Sequence, residues 1–433
     1  MPPSDQNDTD EGHGHAAEDL LPLRQVQDMV LSRTSHLETV EVPIEEALGC
    51  FLAEPVTAPA DIPPFANSAM DGYAVRSSDT GEGGTELSVR GVLPAGSPPP
   101  DEPIGPGETI QIMTGAVMPP GADAVAIVER TERLGAGRVR ILGAVSPGAN
   151  VRSPGSDFKT GERGLSEGDR IGPGQVAVLA SFGLATAAVV RRPRVGVFST
   201  GDELVGPGAP LKPGQIRDSN RQMLLAALSR DGFDPVDLGT APDTEEAVES
   251  VLGEATKRCD AVLSSGGVSR GEFDLVKVVL SRLAAEKKGE AFEIGVSIRP
   301  AKPLMLAFLP RSEGESAVAC FGLPGNPVSS LVSYNVVALP GLAKMAGNPK
   351  RLPRSLAAIT SEDLRPSRDG RLNLVRVEGA FGADGRLLVR PAGGQQSHQL
   401  SGTLSANCLA MVPPGEPIRA GSPVEVIPIG PLL

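Results

Sequence analysis

The sequence predicts a multidomain α/β protein. Its expected parts are a central doubly wound sheet of parallel type, a mixed and β-rich N-terminal half, and a small C-terminal β-barrel. Three observations carry this expectation. Between about residues 192 and 347, apolar runs of strand length alternate with segments of helix length, the rhythm of βαβ crossovers. On either side, Gly and Pro (52 and 41 of 433 residues) recur throughout and cut the chain into short strand-like pieces. A length of 433 residues also corresponds to roughly three domains.

Taken in order, residues 1–16 are acidic and polar and are expected to be a disordered tail. The His13 and His15 pair there reads as part of a solvated tail rather than a metal site. Residues 17–36 read as a helix, with Leu23, Val26 and Val30 on one face and Met29 alongside. Residues 17–190 are expected to hold two interleaved modules, a helical or mixed domain with a β-rich insertion at about 60–160. "GETIQIMTGAVMPPGADAVAIVE" (107–129) and "GRVRILGAV" (137–145) show strand alternation and turn signals. "PPFANSAMDGYAVR" (63–76) is too polar for a buried strand and lacks a helical period. It reads as a loop that is either a plain turn or part of a site.

Residues 191–347 carry the α/β alternation. "RVGVFST" is a strand, and "DSNRQMLLAALSRDG" a helix capped by Asp218 or Ser219 and followed by Gly232. "PVDLG" is a strand, and "DTEEAVESVLGEATKRC" a helix opened by an Asp243-x-x-Glu246 capping pattern. "DAVLSSGG", "KPLMLAFL" and "AVACFGLPGNP" are further strands, and "DLVKVVLSRLAAE" a third helix. "PVSSLVSYNVVALPGLAKMAG" is a long apolar helix with an expected kink near Pro340. Residues 348–433 return to short strands: "LNLVRVEG", "RLLVRPAG", "CLAMVPPG" and "PVEVIPI".

Composition narrows the function. Aromatics are 3% and Trp is absent, so cores must be built from Val, Leu, Ile and Ala. A net charge of −13 argues against a general nucleic-acid binder. No run is long and apolar enough to span a membrane, and no signal pattern opens the chain, so a cytoplasmic protein is expected. The four cysteines are scattered without a CxxC pair; Cys259 and Cys320 lie in or beside apolar runs and read as core residues.

In an open α/β sheet, ligands bind beyond the carboxyl ends of the strands. Three such ends run into "STGDEL" (199–204), "SSGGVSRGEFD" (264–274) and "GLPGNPVSS" (322–330). Their glycines, Gly266, Gly267 and Gly325 among them, let backbone N–H groups approach an anion closely, and Asn326 stands beside the last. No P-loop or dinucleotide fingerprint is present. Asp202, Glu203, Asp243 and Asp274 lie on or just after these loops, and hard carboxylates beside a phosphate nest suit Mg²⁺. Asp243 reads equally as a helix cap, and the two roles can coexist. The local cations are Arg270, Arg299 and Lys302; "SIRPAKP" (297–303) sets the last two three residues apart around a proline, an arrangement that can hold a tetrahedral oxyanion by charge-assisted hydrogen bonds. No nucleophile–histidine pair stands out, so the inventory points to phosphoryl or oxyanion chemistry run by positioning and a metal.

"NSAMDGYAVR", "IMTG", "STGDEL", "SSGGVSRGEFD" and "GLPGNPVS", in this order, resemble the molybdenum insertase family, which includes the gephyrin E-domain and the plant insertase domain. The resemblance runs from about residue 20 to the C-terminus. It implies an L-shaped homodimer that converts adenylylated molybdopterin and molybdate to molybdenum cofactor, releasing AMP, with Mg²⁺. It further implies molybdopterin adenylyltransferase and molybdoenzymes as transfer partners.

Matched position by position, the resemblance implies that Ser269 and Asp274 serve the nucleotide phosphate and Mg²⁺, with Asp243 and Glu203 nearby; the metal ligands would be Asp274 and Asp243. Molybdate would lie against Arg299, Lys302, Ser329, Arg376 and Ser397. Asp71, Thr114, Arg152 and Asp157 would face the other subunit's cleft, which makes "PPFANSAMDGYAVR" a structured loop supplying Asp71. Tyr73 either joins that role or packs the loop.

The chain departs from the family at three places. Arg299-Pro300-Ala301-Lys302-Pro303 stands where Lys-Pro-Gly-Lys-Pro is usual, Gly295 where a basic residue is often seen, and Ala66 where Asp is common. Tungstate in place of molybdate, a molybdopterin adenylyltransferase activity, and a non-catalytic molybdopterin-binding scaffold stay open as alternatives.

Overall fold

A computed structural model describes residues 20–268, 274–311 and 316–432. The chain forms two compact units. One comprises the described parts of Met1–Val40, Gly49–Phe51 and Val190–Leu433; the other comprises Glu41–Leu48 and Leu52–Val189. No helix among the described residues is long and apolar enough to cross a membrane.

The smaller unit is built on a six-stranded sheet. Its spatial order is Ala124–Ile127, Gly72–Val75, Glu108–Ile112, Thr85–Leu93, Arg138–Ile141 and Thr131–Gly135. Side chains alternate between its faces as a pleated strand requires. Tyr73 and Val75 pack with Leu87, Val139 and Ile141 on one side, and Ala74 packs with Ile110, Ile112 and Val125 on the other. The expectation that residues 63–76 are too polar for a buried strand is corrected here, because Gly72–Val75 is an inner strand with all four residues buried. Its polar neighbours masked a four-residue core segment. Gly72 permits the close pairing, since a Cβ there would meet the Ala126 carbonyl oxygen at 2.0 Å. Tyr73, 2% exposed, is a core residue.

In the larger unit, the N-terminal helix runs over Leu23–Arg33, shorter than the expected 17–36, and buries Val26 and Val30. The central sheet then forms from β1 (Arg194–Thr200), α1 (Ser219–Arg230), β2 (Asp234–Ala241), α2 (Glu245–Arg258), β3 (Ala261–Ser265), α3 (Leu275–Lys287), β4 (Glu290–Gly295), β5 (Pro303–Leu309) and β6 (Val318–Leu323). A short helix α4 (Pro327–Ser333) follows. Strand order is β2-β1-β3-β6-β5-β4.

The pairs β1–β2, β1–β3 and β3–β6 are parallel, whereas β5 runs antiparallel to both β6 and β4. The sheet is therefore mostly parallel with an antiparallel edge, closed by β4, a strand the sequence pattern does not mark. A connection of only seven residues, 296–302, joins β4 to β5, too short for a crossover helix and so compatible only with reversal. From β1 the chain moves outward to β2, and from β2 back across to β3. Right-handed connections then place α1 and α2 on opposite faces and open a crevice at the carboxyl ends of β1 and β3.

Helix caps refine the reading. Asp218 is the N-cap of α1, accepting from Arg221 N at 3.2 Å. The cap of α2 is Thr244, accepting from Ala247 N at 3.2 Å, one residue later than the Asp243-x-x-Glu246 pattern places it. The expected long C-terminal helix of this domain passes through one wide π-turn, Tyr334–Ala338, before continuing over Leu339–Met345, which carries Pro340 at its start. The wide turn is where the ladder accommodates the missing proline N–H. All four cysteines are buried free thiols, and burial pushes Cys320 up to about 12.

The C-terminal domain is a five-stranded barrel of Leu356–Thr360, Leu372–Phe381, Leu387–Pro391, Cys408–Val412 and Pro423–Pro428, closed by pairing of the second strand with the fourth. The first of these strands was not foreseen; "LAAIT" is short and without charged alternation. Val377, Val389, Ala410, Val412 and Val426 fill its interior.

Candidate functional site

The carboxyl ends of three parallel strands lie level, because Ser199 pairs with Ser265 and Ser265 with Leu323. The loops that follow therefore meet. Gly266 N donates to Leu323 O at 3.1 Å. A Cβ on Gly266 would lie 3.1 Å from Thr200 O, and one on Gly325 3.7 Å from the Gly266 Cα. Gly266 and Gly267 take φ of 98° and 68°, the left-handed region that glycine enters without strain. A side chain on Gly267 would also meet Val276 at 2.7 Å. Ser269 and Arg270 lie outside the described residues.

Carboxylates gather beside these loops. Asp243 accepts from Thr200 Oγ1 at 2.6 Å and from Asp202 N at 3.3 Å, and Asp243 N donates back to Asp202 Oδ1 at 3.1 Å. Its carboxylate is thus turned toward the end of β1 and away from a capping role. The Glu203 carboxylate folds over Gly201, where an added Cβ would meet it at 2.5 Å. Asp274 occupies the N-cap position of α3 without a side-chain capping bond.

The cationic turn reaches the same edge for a topological reason. Because β5 is antiparallel to β6, with Met305 opposite Gly322, the residues that precede β5 lie beside those that follow β6. In an all-parallel sheet they would lie at the far edge. Lys302 O accepts from Val296 N at 2.8 Å, and Ile298–Arg299 pairs with Leu372–Asn373 at the start of a barrel strand. Arg299 is exposed. The Arg299–Pro300 peptide is cis, and Ala301 adopts φ 81° while 4% exposed. Gly295 packs beneath Leu20, whose Cδ2 would stand 2.7 Å from an added Cβ, so the basic residue common in the family has no room here unless Leu20 moves.

The barrel contributes a loop. Ser397 Oγ accepts from Asn326 Nδ2 at 3.0 Å, and Ser397 O accepts from Val328 N at 3.1 Å. The loop is thereby seated on the N-terminus of α4, in whose first turn Ser329 is buried. Arg376 is placed differently from a ligand exposed to the cleft. Its side chain is 1% exposed, and its guanidinium donates to Gln399 O at 2.8 Å, Gln396 O at 3.2 Å and Gly394 O. Burial without a carboxylate partner pulls its pKa below the usual arginine range. In this structure Arg376 holds the 394–399 loop that presents Ser397.

The smaller unit carries a second group of expected residues. Asp71 accepts from Thr114 N at 2.7 Å and from Thr114 Oγ1 at 2.8 Å, and these bonds, the backbone one first, hold its carboxyl below the usual range. Arg152 pairs through its backbone with Asn67, and Asp157 N donates to Ile62 O at 2.9 Å. Arg152 and Asp157 present exposed side chains.

Two residues of the larger unit escaped the sequence reading. Asn220 Nδ2 donates to Ser265 Oγ at 2.8 Å and to Gly325 O at 2.6 Å, joining two of the glycine loops. Asp218, 2% exposed, accepts from Ser199 Oγ at 3.0 Å, Thr240 Oγ1 at 3.2 Å and Arg221 Nε at 2.8 Å. In the sequence both belong to the capped start of a helix, and that role absorbs them; the further signal is that this helix is the crossover between β1 and β2 and starts at the carboxyl edge of the sheet.

Residues 21–183 match the family described as MoeA N-terminal region (domain I and II), 196–344 the probable molybdopterin binding domain, and 358–429 the MoeA C-terminal region (domain IV). Over 418 residues the chain is 36% identical to the molybdopterin molybdenumtransferase of Haemophilus influenzae, covering 96% of this chain and 100% of the relative. The Bacillus subtilis protein of the same name is 33% identical over 415 residues, covering 92% and 93%. A crystal structure of the molybdopterin biosynthesis MoeA protein from Pyrococcus horikoshii superposes with a TM-score of 0.76 at 32% identity, covering 95% of this chain and 100% of that one. With three family regions matched in order and relatives above 30% identity along nearly its whole length, the chain belongs to the molybdopterin molybdenumtransferase family.

Proposed function

We propose that the strand-end cleft binds adenylylated molybdopterin and molybdate and yields molybdenum cofactor and AMP. The chain's function is that of a molybdopterin molybdenumtransferase in molybdenum cofactor biosynthesis. The supporting observation is the convergence of three glycine loops, at Thr200–Gly201, Gly266–Gly267 and Gly325, with two carboxylates and the turn carrying Lys302. Backbone N–H groups in such a nest suit phosphate oxygens, and the cationic turn suits a tetrahedral dianion. In the reaction the phosphoanhydride P–O bond breaks, an oxygen from molybdate or water completes the phosphate of AMP, and the two dithiolene sulfurs replace two oxygens on molybdenum, which stays at the same oxidation state; displaced oxygen not taken into AMP leaves as water with the thiol protons.

No group of three or more His, Cys, Asp or Glu side chains able to hold a metal occurs among the described residues. The Asp243 carboxylate beside the glycine loops suits Mg²⁺, which takes one or two carboxylates and completes its shell with water and substrate phosphate. Asp243 and Asp274 would hold it, and it would neutralise charge on the phosphates. Thr200 Oγ1 and the Asp202 N–H orient the Asp243 carboxylate. Arg299, Lys302, Ser329 and Ser397 are read as the oxyanion side, with Arg376 supporting the last. Asp71, Thr114, Arg152 and Asp157 are read as serving the partner subunit of a cytoplasmic homodimer.

The test is incubation of the purified protein with adenylylated molybdopterin, Mg²⁺ and molybdate. Molybdate-dependent AMP release supports the reading. Incorporation of AMP from ATP would favour an adenylyltransferase, and binding without turnover a scaffold.

A further inference from the structure

We infer that Asn220 is a positioning residue for the nucleotide side of the cleft. It ties the Gly266–Gly267 loop to the Gly325 loop, so that their backbone amides present one anion site instead of two independent turns. The inference rests on the proposed function for its choice of ligand.

The geometry is specific. Asn220 is the second residue of α1, and its single amide nitrogen spans to Ser265 Oγ (2.8 Å), the residue before Gly266, and to Gly325 O (2.6 Å). Ser265 closes β3 and Gly325 stands in the loop after the neighbouring β6, so one side chain bridges two adjacent strand ends. The Asn220 backbone is itself fixed. Asp218, two residues earlier, is buried and joined to β1 through Ser199 and to β2 through Thr240, while Arg221 pairs with Asp218 and Asp237. The donor is therefore delivered from a helix start anchored to two strands, a rigid mount for a supporting contact.

The other half of the amide sharpens the assignment. Asn220 Oδ1 is buried and has no donor among the described residues. Reversing the amide would leave the Gly325 carbonyl facing an oxygen, so the observed orientation is required by Gly325. A side chain kept for shape alone would not need a donor at this atom. An anion loop, by contrast, gains when its carbonyl is drawn away from the ligand and its N–H groups are left facing it.

The variants are Asn220→Ala, which removes the clamp, and Asn220→Asp, which keeps the shape but places a carboxylate against the Gly325 carbonyl. Three quantities are read: AMP binding by calorimetry, the KM for adenylylated molybdopterin against that for molybdate, and the melting temperature. We expect AMP affinity and the KM for adenylylated molybdopterin to worsen about tenfold in Asn220→Ala and further in Asn220→Asp. The KM for molybdate should stay within about twofold of the parent and melting within about 3 °C. If Asn220→Ala does not fold, Asn220→Ser is read by the same criteria. Unchanged AMP affinity in a folded variant overturns the inference. So does a loss shared equally by both substrates and accompanied by a matching fall in melting temperature, which would mark a merely structural residue. A parent protein that binds AMP but releases none from the adenylylated substrate would overturn the proposed function, while the AMP-binding comparison would still decide Asn220.

Discussion

The Gly266–Gly267 loop and the Arg299–Lys302 turn meet the same backbone demand with different residues. Both need a left-handed φ: 98° and 68° at the two glycines, 81° at Ala301. Glycine adopts it freely, whereas alanine in that region is strained by about 1–2 kcal/mol. The glycine loop is thus formed without steric strain, while the cationic turn is held in shape by its surroundings: the Val296–Lys302 backbone bond and the pairing of Ile298–Arg299 with the barrel. The difference teaches that the glycine loop is encoded locally, and the Arg299–Lys302 turn by the domains around it.

The largest expected effect tests whether the local loop carries the chemistry. Asp274→Ala should lower AMP release by more than about 100-fold, consistent with loss of a charge-stabilising group. Release within threefold of the parent would remove Asp274 from the site.

Next, Gly267→Ala forces a Cβ into Val276 at 2.7 Å at a φ of 68°. It should destabilise the central domain by about 1–3 kcal/mol and weaken AMP binding by about tenfold, read by denaturant unfolding and calorimetry. A neutral outcome would erase the contrast between the two loops.

Arg376→Lys probes the supported side. A lysine ammonium lacks the planar fork that serves the Gly394, Gln396 and Gln399 carbonyls together. Amide exchange over residues 394–399 should accelerate and the KM for molybdate rise about three- to tenfold. If exchange stays slow while molybdate affinity falls, Arg376 meets the oxyanion itself.

Ala301→Gly is the mirror of the glycine test. Relief of strain should stabilise the protein, offset in part by added freedom in the unfolded chain. The net gain should be under about 1 kcal/mol, a rise of about 1–3 °C in melting temperature. A fall in melting temperature would show that the turn stores no strain at Ala301.

The smallest effect lies outside both loops. Thr114 bonds depress the Asp71 pKa, so their contribution is present above the unfolded carboxyl value and is lost as pH falls through the lower folded value. Thr114→Val removes the hydroxyl bond and keeps the backbone one, so the Asp71 titration should move part of the way upward, seen by carboxyl NMR, with a slight loss of stability at neutral pH that fades as pH falls through the folded value. A midpoint unmoved by Thr114→Val would leave the backbone N–H of residue 114 as the group that holds the Asp71 carboxyl down.

The sequence by itself determined the alternation of strands and helices from β1 to α3, and the strands β5 and β6, because apolar period and glycine punctuation are local properties of the chain; β4 carried too weak a period to be seen. By the same means it located the loops at Gly201, Gly266 and Gly325, since a loop after a strand in a βαβ unit can end only at the carboxyl edge of the sheet. It misjudged Gly72–Val75, where four core residues sit among polar ones, and placed the α2 cap at Asp243, whose carboxylate is drawn instead to Thr200 and Asp202. Only tertiary structure decided that β5 reverses. That single change of strand direction carries Lys302 from the far edge of the sheet to the loop after β6. It also decided that Arg376 turns inward to hold the Ser397 loop and that Asn220 joins two strand ends 45 and 105 residues away. The physical reason is that strand direction and long-range hydrogen bonds are chosen by packing among elements distant in the chain, and a period read along it does not contain them.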